Sequence, residues 1–297
     1  MNYTMGKKIF LLVIFATISI GIYLAFFSTK KTLSKDQIMN AVAEKNVSGS
    51  GYRDLEGKFI EYEYVDFGKF GLAIYDNKIK WRGYGGYFDG IVSMVEPQIT
   101  KVSDYIYFLS WVFGDNGGDN VVVNFKSKKV FAHLRSGNAN DESPSDFEMI
   151  HGTVLCGPST SCKYPEGDPI SMLHMVTKLN LNTMKFDLPT IFETKKPLIQ
   201  ANKDARNDLL NYTIQYQNDI GTVHIQVLDE ITKVSINGGE PKEYQTNVTK
   251  IDEDIYFISW LGNKQFGKHI VLNKKTNKVF DHMASKMNHV EQIYDLE

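Results

Sequence analysis

From residue 57 onward, apolar and polar side chains alternate in short runs separated by glycine, asparagine and aspartate. Period-two alternation broken by turn residues predicts antiparallel strands. Phe59, Tyr62 and Tyr64 open the series and lead to a hairpin turn at Phe67-Gly68-Lys69. Runs at 71–75 and 79–82 flank Asp76-Asn77, and a run at 91–95 ends before Pro97. In 105–112, Ile106, Phe108 and Ser110 fall on one face and Tyr107, Leu109 and Trp111 on the other. Both faces are largely apolar, which predicts a strand covered on both sides. Asp115-Asn116-Gly117-Gly118 reads as a hairpin turn, followed by runs at 121–125, 130–134 and 147–155.

The same grammar resumes near Asp208. Runs at 212–216, 223–228, 232–236 and 244–248 surround the turn Asn237-Gly238-Gly239. Residues 250–285 then repeat 101–136 without a gap at an offset of 149, with 15 of 36 positions identical. Tyr107 pairs with Tyr256, Trp111 with Trp260, Asn124 with Asn273 and His133 with His282. Such self-similarity means two copies of one structural unit. Each copy has about eight candidate strands, enough to close a small up-and-down barrel.

Between the copies, residues 156–207 hold five of the eight prolines, both cysteines and a segment of helical character at 170–179. At the other end, 9–27 is free of charge and is bracketed by Lys7-Lys8 and Lys30-Lys31. That length suits a membrane-spanning helix better than a cleaved signal peptide, because bulky Phe26 and Phe27 stand where a small-residue cleavage site belongs. The expected order is an anchor at 1–31, a tether at 32–56, a first barrel at 57–155, a linker at 156–207 and a second barrel at 208–297. The fold class is therefore all-β: two tandem antiparallel barrels behind an N-terminal transmembrane helix, with a short helix in the linker. The body is expected outside the cytoplasmic membrane, on the periplasmic or extracellular side. Cys156 and Cys162, six residues apart in a turn-rich stretch, suit a local disulfide in that compartment. Two free thiols are the alternative, and a zinc site would need two ligands besides the cysteines, of which only His151 is near.

The formal charge of −2 excludes a strongly basic face for nucleic acid. No phosphate-binding glycine loop, His-Glu-x-x-His or Gly-x-Ser-x-Gly is present, and no cofactor or metal is called for.

Three stretches carry a resemblance to a known family. They are Gly57-Lys58-Phe59 with Tyr62 and Tyr64, the hairpin bearing Lys78, Lys80 and Trp81, and Asp254-Ile255-Tyr256-Phe257-Ile258-Ser259-Trp260 with its counterpart at 105–111. Together they resemble the two-barrel calycin proteins named MoaF, associated with molybdenum cofactor biosynthesis, and more distantly the phenolic acid decarboxylases. The resemblance covers 57–155 and 208–297 and implies lipocalin-like barrels with a small ligand in a lumen. The decarboxylases use a tyrosine pair, an arginine and a glutamate inside one barrel; no residue here takes those roles by position.

The candidate chemistry follows from where the two copies differ. Trp81, Arg82 and Glu96 flank the glycine-aromatic loop 83–90 in the first copy, and the second has no Trp-Arg equivalent. An arginine beside aromatic rings at a barrel mouth suits a carboxylate, and the ligand expected in the lumen is small and apolar or aromatic. Trp81, Arg82, Tyr84, Glu96, Tyr107 and Trp111 are therefore the expected ligand-binding residues. The competing reading makes Trp111 and Trp260 core packing. His133 and His282, which share a face with Phe131 and Phe280, are titratable candidates in strands expected to meet solvent. A binding protein is expected rather than an enzyme; a decarboxylase-like lyase and a non-catalytic scaffold are the alternatives.

Overall fold

A computed structural model describes residues 50–65, 67–84, 88–113, 117–135, 147–160, 162, 179–180, 185–186, 202–218, 221–229, 231–260, 268–283 and 293–297. All of them belong to one compact unit spanning 46–297. The apolar run 9–27, most of the expected tether and the linker segment 170–178 lie outside the described residues. Among the described residues no helix is long and apolar enough to cross a membrane.

The fold is all-β, with two curled antiparallel sheets. Helix α1 (Ser50–Leu55) precedes β1 (Phe59–Tyr64), β2 (Gly68–Tyr75), β3 (Lys78–Tyr84), β4 (Val92–Val95) and β5 (Gln98–Ser103). Then come β6 (Ile106–Phe113), β7 (Gly117–Asn124), β8 (Lys129–Arg135) and β9 (Phe147–Cys156). These nine strands form one sheet in the order β4-β3-β2-β1-β9-β8-β7-β6-β5. Strands β4 and β6 stand far apart in that order yet touch. With neighbouring strands about 4.8 Å apart, a flat sheet cannot bring them together, so the sheet curls around its own apolar face. Its interior takes Ile60, Tyr62 and Tyr64 from β1, Leu72 and Ile74 from β2, and Leu109 and Trp111 from β6.

A two-stranded piece, β10 (Leu179–Asn180) with β11 (Lys185–Phe186), stands between the sheets. The helix of the connecting region, α2, is at 202–207, and Leu179, expected at the end of a helix, is in a strand. The second sheet runs in sequence order through β12 (Thr213–Asn218), β13 (Gly221–Val227), β14 (Ile231–Ile236), β15 (Lys242–Asp252), β16 (Ile255–Trp260), β17 (Lys268–Asn273), β18 (Lys278–Met283) and β19 (Ile293–Asp295). An antiparallel bridge between Tyr216 and Leu296 joins its first strand to the end of its last. Asn237 and Gly238 have φ of 55° and 69°, the left-handed pair that a tight hairpin turn needs.

Each sheet is capped at one end by its helix in the same way. Tyr52 and Leu55 of α1 are buried in the first core, and Ala205 and Leu209 in the second. Asp54 accepts from Lys101 (2.8 Å) and from the Tyr107 hydroxyl (3.1 Å). Asp208 accepts from Lys250 and from the Tyr256 hydroxyl (3.2 Å). The structural repeat is therefore longer than the 36-residue match. It takes in a helix that the sequence pattern assigned to the tether in the first copy and to the linker in the second.

A third apolar cluster lies between the two sheets. The outward faces of β5–β8, with Val102, Ile106, Phe108 and Val122, meet those of β15–β18, with Ile251, Ile255, Phe257, Val271 and Phe280. This is why the 105–112 pattern is apolar on both faces: one face lines a core and the other the contact between lobes. His133 and His282 sit in that contact and are fully buried, at 0% exposure each. The expectation that their strands meet solvent is overturned. The turns at 126–129 and 275–277 are exposed, and the histidine side chains lie beyond them under the opposing lobe.

Candidate functional site

The six residues expected to bind a ligand do not converge. β3 alternates strictly, with Ile79, Trp81 and Gly83 buried and Lys80, Arg82 and Tyr84 half-buried. Successive strand side chains point to opposite faces. Trp81 therefore joins the first core, while Arg82 lies on the outer face with its guanidinium 5.6 Å from the centroid of the Tyr84 ring. Glu96 is exposed. Tyr107 is buried at the helix-capped end, bonded to Asp54. Trp111 points into the first interior from the opposite end of β6. A neighbouring tryptophan and arginine on one strand look like a pair in sequence and are separated by the sheet in space.

The end of the first lobe away from α1 does assemble a cluster. Tyr62 and Tyr64, two apart on β1, share the inner face with ring centroids 5.0 Å apart. Trp111 lies toward the end of β6, and Asp119 stands directly across from it in the β6–β7 register. The Tyr64 hydroxyl and the Trp111 indole nitrogen are buried and meet no partner in hydrogen-bond geometry. Burial pushes the Asp119 carboxyl up to about 7, with the Trp111 N–H pulling weakly the other way. Burial likewise raises Tyr62, helped by the nearby Asp119 charge, and Tyr64, helped by Tyr62. A buried polar atom without a partner costs roughly 1–3 kcal/mol, so a fold retains it where a water or ligand atom supplies the missing bond.

Aromatic rings roof this cluster. Phe67, in the turn after β1, packs against Tyr64 (6.0 Å), Phe70 (5.8 Å) and Phe88 (5.2 Å). Phe88 comes from the glycine-aromatic loop, which folds tightly onto β3: the Gly83 amide donates to Ile91 O and that of Gly90 to Gly83 O. A Cβ at Gly83 would strike the Phe88 carbonyl, so glycine is required there. This loop, expected to hold an arginine-centred site, supplies an aromatic cover over a carboxyl-centred one.

The second lobe has the same position closed. Tyr216 matches Tyr62, and its hydroxyl donates to Asp281 (3.0 Å), to which Asn218 also donates (3.5 Å). Asn218 takes the place of Tyr64, and Tyr294 stacks on Tyr216 at 5.5 Å. Trp260, the partner of Trp111, is buried core. The asymmetry between the lobes is thus Tyr64 and Asp119 against Asn218 and Asp281. Asp119 was passed over in the sequence because it directly follows the stretch read as the turn Asp115-Asn116-Gly117-Gly118; in the structure Gly117 and Gly118 are already strand.

The two cysteine sulfurs lie at bonding distance, with Cα atoms 6.2 Å apart, so Cys156 and Cys162 form a disulfide at the end of β9. A surface pocket of about 370 Å³ beside it is lined by Gly57, Lys58, Phe59, Ala73, Ile74, Tyr75 and Cys162. Among the described residues no group of three or more His, Cys, Asp or Glu is placed to hold a metal ion.

No family model and no curated protein matches the chain. Among solved structures, a "putative beta-lactamase from Burkholderia vietnamiensis" is similar at a TM-score of 0.29 and 19% identity, over 34% of this chain and 92% of that one. At that score it carries neither fold nor function to this chain.

Proposed function

We propose that this protein is a binding protein anchored by its N-terminal segment in the cytoplasmic membrane. Its body stands on the periplasmic or extracellular side as two calycin-like barrels of the MoaF kind. The first barrel takes a small aromatic ligand with one polar head. The observation that carries the reading is the pair of buried polar atoms, Tyr64 Oη and Trp111 Nε1, neither of which meets a partner in full hydrogen-bond geometry, beside a carboxyl raised to about 7 and under a roof of phenylalanines. A ligand ring would take the place of Phe67 and Phe88 against Trp81, and its head would satisfy Tyr64, Trp111 and Asp119. The Cys156–Cys162 disulfide suits the oxidising compartment that the anchor implies.

A lyase of the phenolic acid decarboxylase kind is the second reading, favoured by a tyrosine pair and a carboxyl in one interior. It is weaker, because Arg82, the arginine expected at the site, lies on the outer face. A role in molybdenum cofactor biosynthesis rests on the family resemblance alone.

Native mass spectrometry of the full-length protein in mild detergent tests the binding reading, together with a tryptophan-fluorescence titration against small aromatic acids, amines and phenols. A retained small molecule or a saturable quench is expected, and Tyr64→Phe and Asp119→Asn should each weaken it about tenfold or more. A protein that carries nothing and responds to none of the three classes would overturn the reading. Turnover of a phenolic acid would move it to the lyase.

A further inference from the structure

The contact between the lobes repeats itself across an approximate two-fold axis. His133 Nδ1 meets Ser259 Oγ at 2.6 Å, and His282 Nδ1 meets Ser110 Oγ at 2.7 Å. His133 Nε2 meets Thr249 Oγ1 at 2.9 Å, and His282 Nε2 meets Thr100 Oγ1 at 2.9 Å. The His133 ring stacks on Phe257 with centroids 3.9 Å apart and 7° between planes; His282 stacks on Phe108 at 3.7 Å and 7°. Asn124 donates to the Ile251 carbonyl, and Asn273 to the Val102 carbonyl. Every one of these partners is related to its counterpart by the same offset of 149.

An interface in which residue i of one half meets j of the other, and j meets i, is isologous, the geometry of a two-fold homodimer. We infer that the outer face of β5–β8 is a self-complementary dimerisation surface, and that the chain is a covalently joined dimer held together by that face rather than by its connection. The first lobe alone carries the full set: His133 to bond, and Thr100, Ser110 and Phe108 to receive it. A second copy of the first lobe would therefore present His133 with the same partners that the second lobe does. The symmetry breaks at the serines. There Ser110 bonds Asn120 (2.9 Å) whereas Ser259 bonds His269 (2.8 Å).

The test starts from the folded full-length protein with a protease recognition sequence inserted within 187–201. After cleavage, gel filtration and native mass spectrometry should find the two fragments in a 1:1 complex at micromolar concentration. On long incubation a first-lobe pair should appear beside it. Fragments that separate into monomers on cleavage would overturn the inference. Thr100→Val and Thr249→Val then probe the symmetry, since each removes a hydroxyl from one histidine with little change of shape. Each should weaken the cleaved complex by a similar factor, roughly tenfold for a buried ring nitrogen left without its partner. A large loss from one and none from the other would mean that the face is not used symmetrically and would also overturn the inference.

Discussion

A carboxylic acid that keeps its proton to about pH 7 shifts the folding equilibrium as well as the local chemistry. In the unfolded chain Asp119 loses its proton near pH 4, whereas in the folded lobe burial holds the value at about 7. Between those two values the folded state binds more protons, so the Asp119 contribution to stability falls as pH rises from about 4 to about 7. Asp119→Asn removes that term. Urea melts at pH 5 and pH 7.5 should show the variant gaining on the wild type at the higher pH, and equal gains at both would contradict the buried acid. Tyr64 makes a complementary case. Its hydroxyl is buried without a partner, so Tyr64→Phe should leave stability unchanged or raise it by about 1 kcal/mol while weakening the ligand. A variant that melts earlier than wild type would mean that the hydroxyl is bonded in the folded protein. The tyrosines were legible in the alternation of β1. The acid was not, because it directly follows a stretch that reads as a turn, and only the register across from Trp111 makes Asp119 a neighbour of the interior.

At the scale of elements, each helix cap joins one fully buried leucine to one partly exposed ion pair, and the two differ greatly in weight. Leu55 and Leu209 are at 0% exposure. Replacing either with alanine should cost about 2–5 kcal/mol through lost burial and the cavity left behind. The Asp54–Lys101 and Asp208–Lys250 pairs are more than a third exposed on at least one side. Water and side-chain freedom offset most of their attraction, so Asp54→Ala or Asp208→Ala should cost no more than about 1 kcal/mol. Chemical denaturation of the four variants checks the ranking, and an aspartate variant as damaging as its leucine neighbour would contradict it. Sequence periodicity found most of the strands because alternation needs only four or five residues to show. It missed β5, since Pro97 looks like a terminator, although proline is tolerated just ahead of a strand where no ladder hydrogen bond is required of it. It also missed both caps: a helix of six residues is too short to display a period, and its place in the core is fixed by contacts from distant strands.

Over the whole molecule, the repeat shows how far a hydrophobic pattern carries. Apolar residues on both faces of 105–112 said that both faces are covered, but a pattern reports burial and not what does the burying. The second cover is the other lobe, and the histidines that look exposed beside turn lysines are instead its central hydrogen-bonding groups. That placement makes the lobe contact sensitive to acid. Burial, with His269 adding to it, holds both His133 and His282 well below the ordinary histidine value. Their described neighbours are Ser110, Ser259, Thr100, Thr249, Phe108, Phe257 and His269, with no carboxylate to receive a new positive charge. The unfolded chain protonates each near pH 6.5 while the folded one resists. Below about 6.5 the unfolded state therefore binds more protons, and stability falls as the pH falls. Each histidine contributes a slope of up to about 1.4 kcal/mol per pH unit, opposite in sign to that of Asp119 in the range they share. Half-buried His151, whose value is also lowered by burial, adds to the slope. Differences between variants therefore isolate the pair. His133→Phe and His282→Phe should each flatten the slope between pH 6 and pH 4.5 by about one proton, and the double variant by about two. An unchanged slope in the double variant would mean that these histidines are already charged in the folded protein. The two lobes would then be joined by something other than a pair of neutral rings.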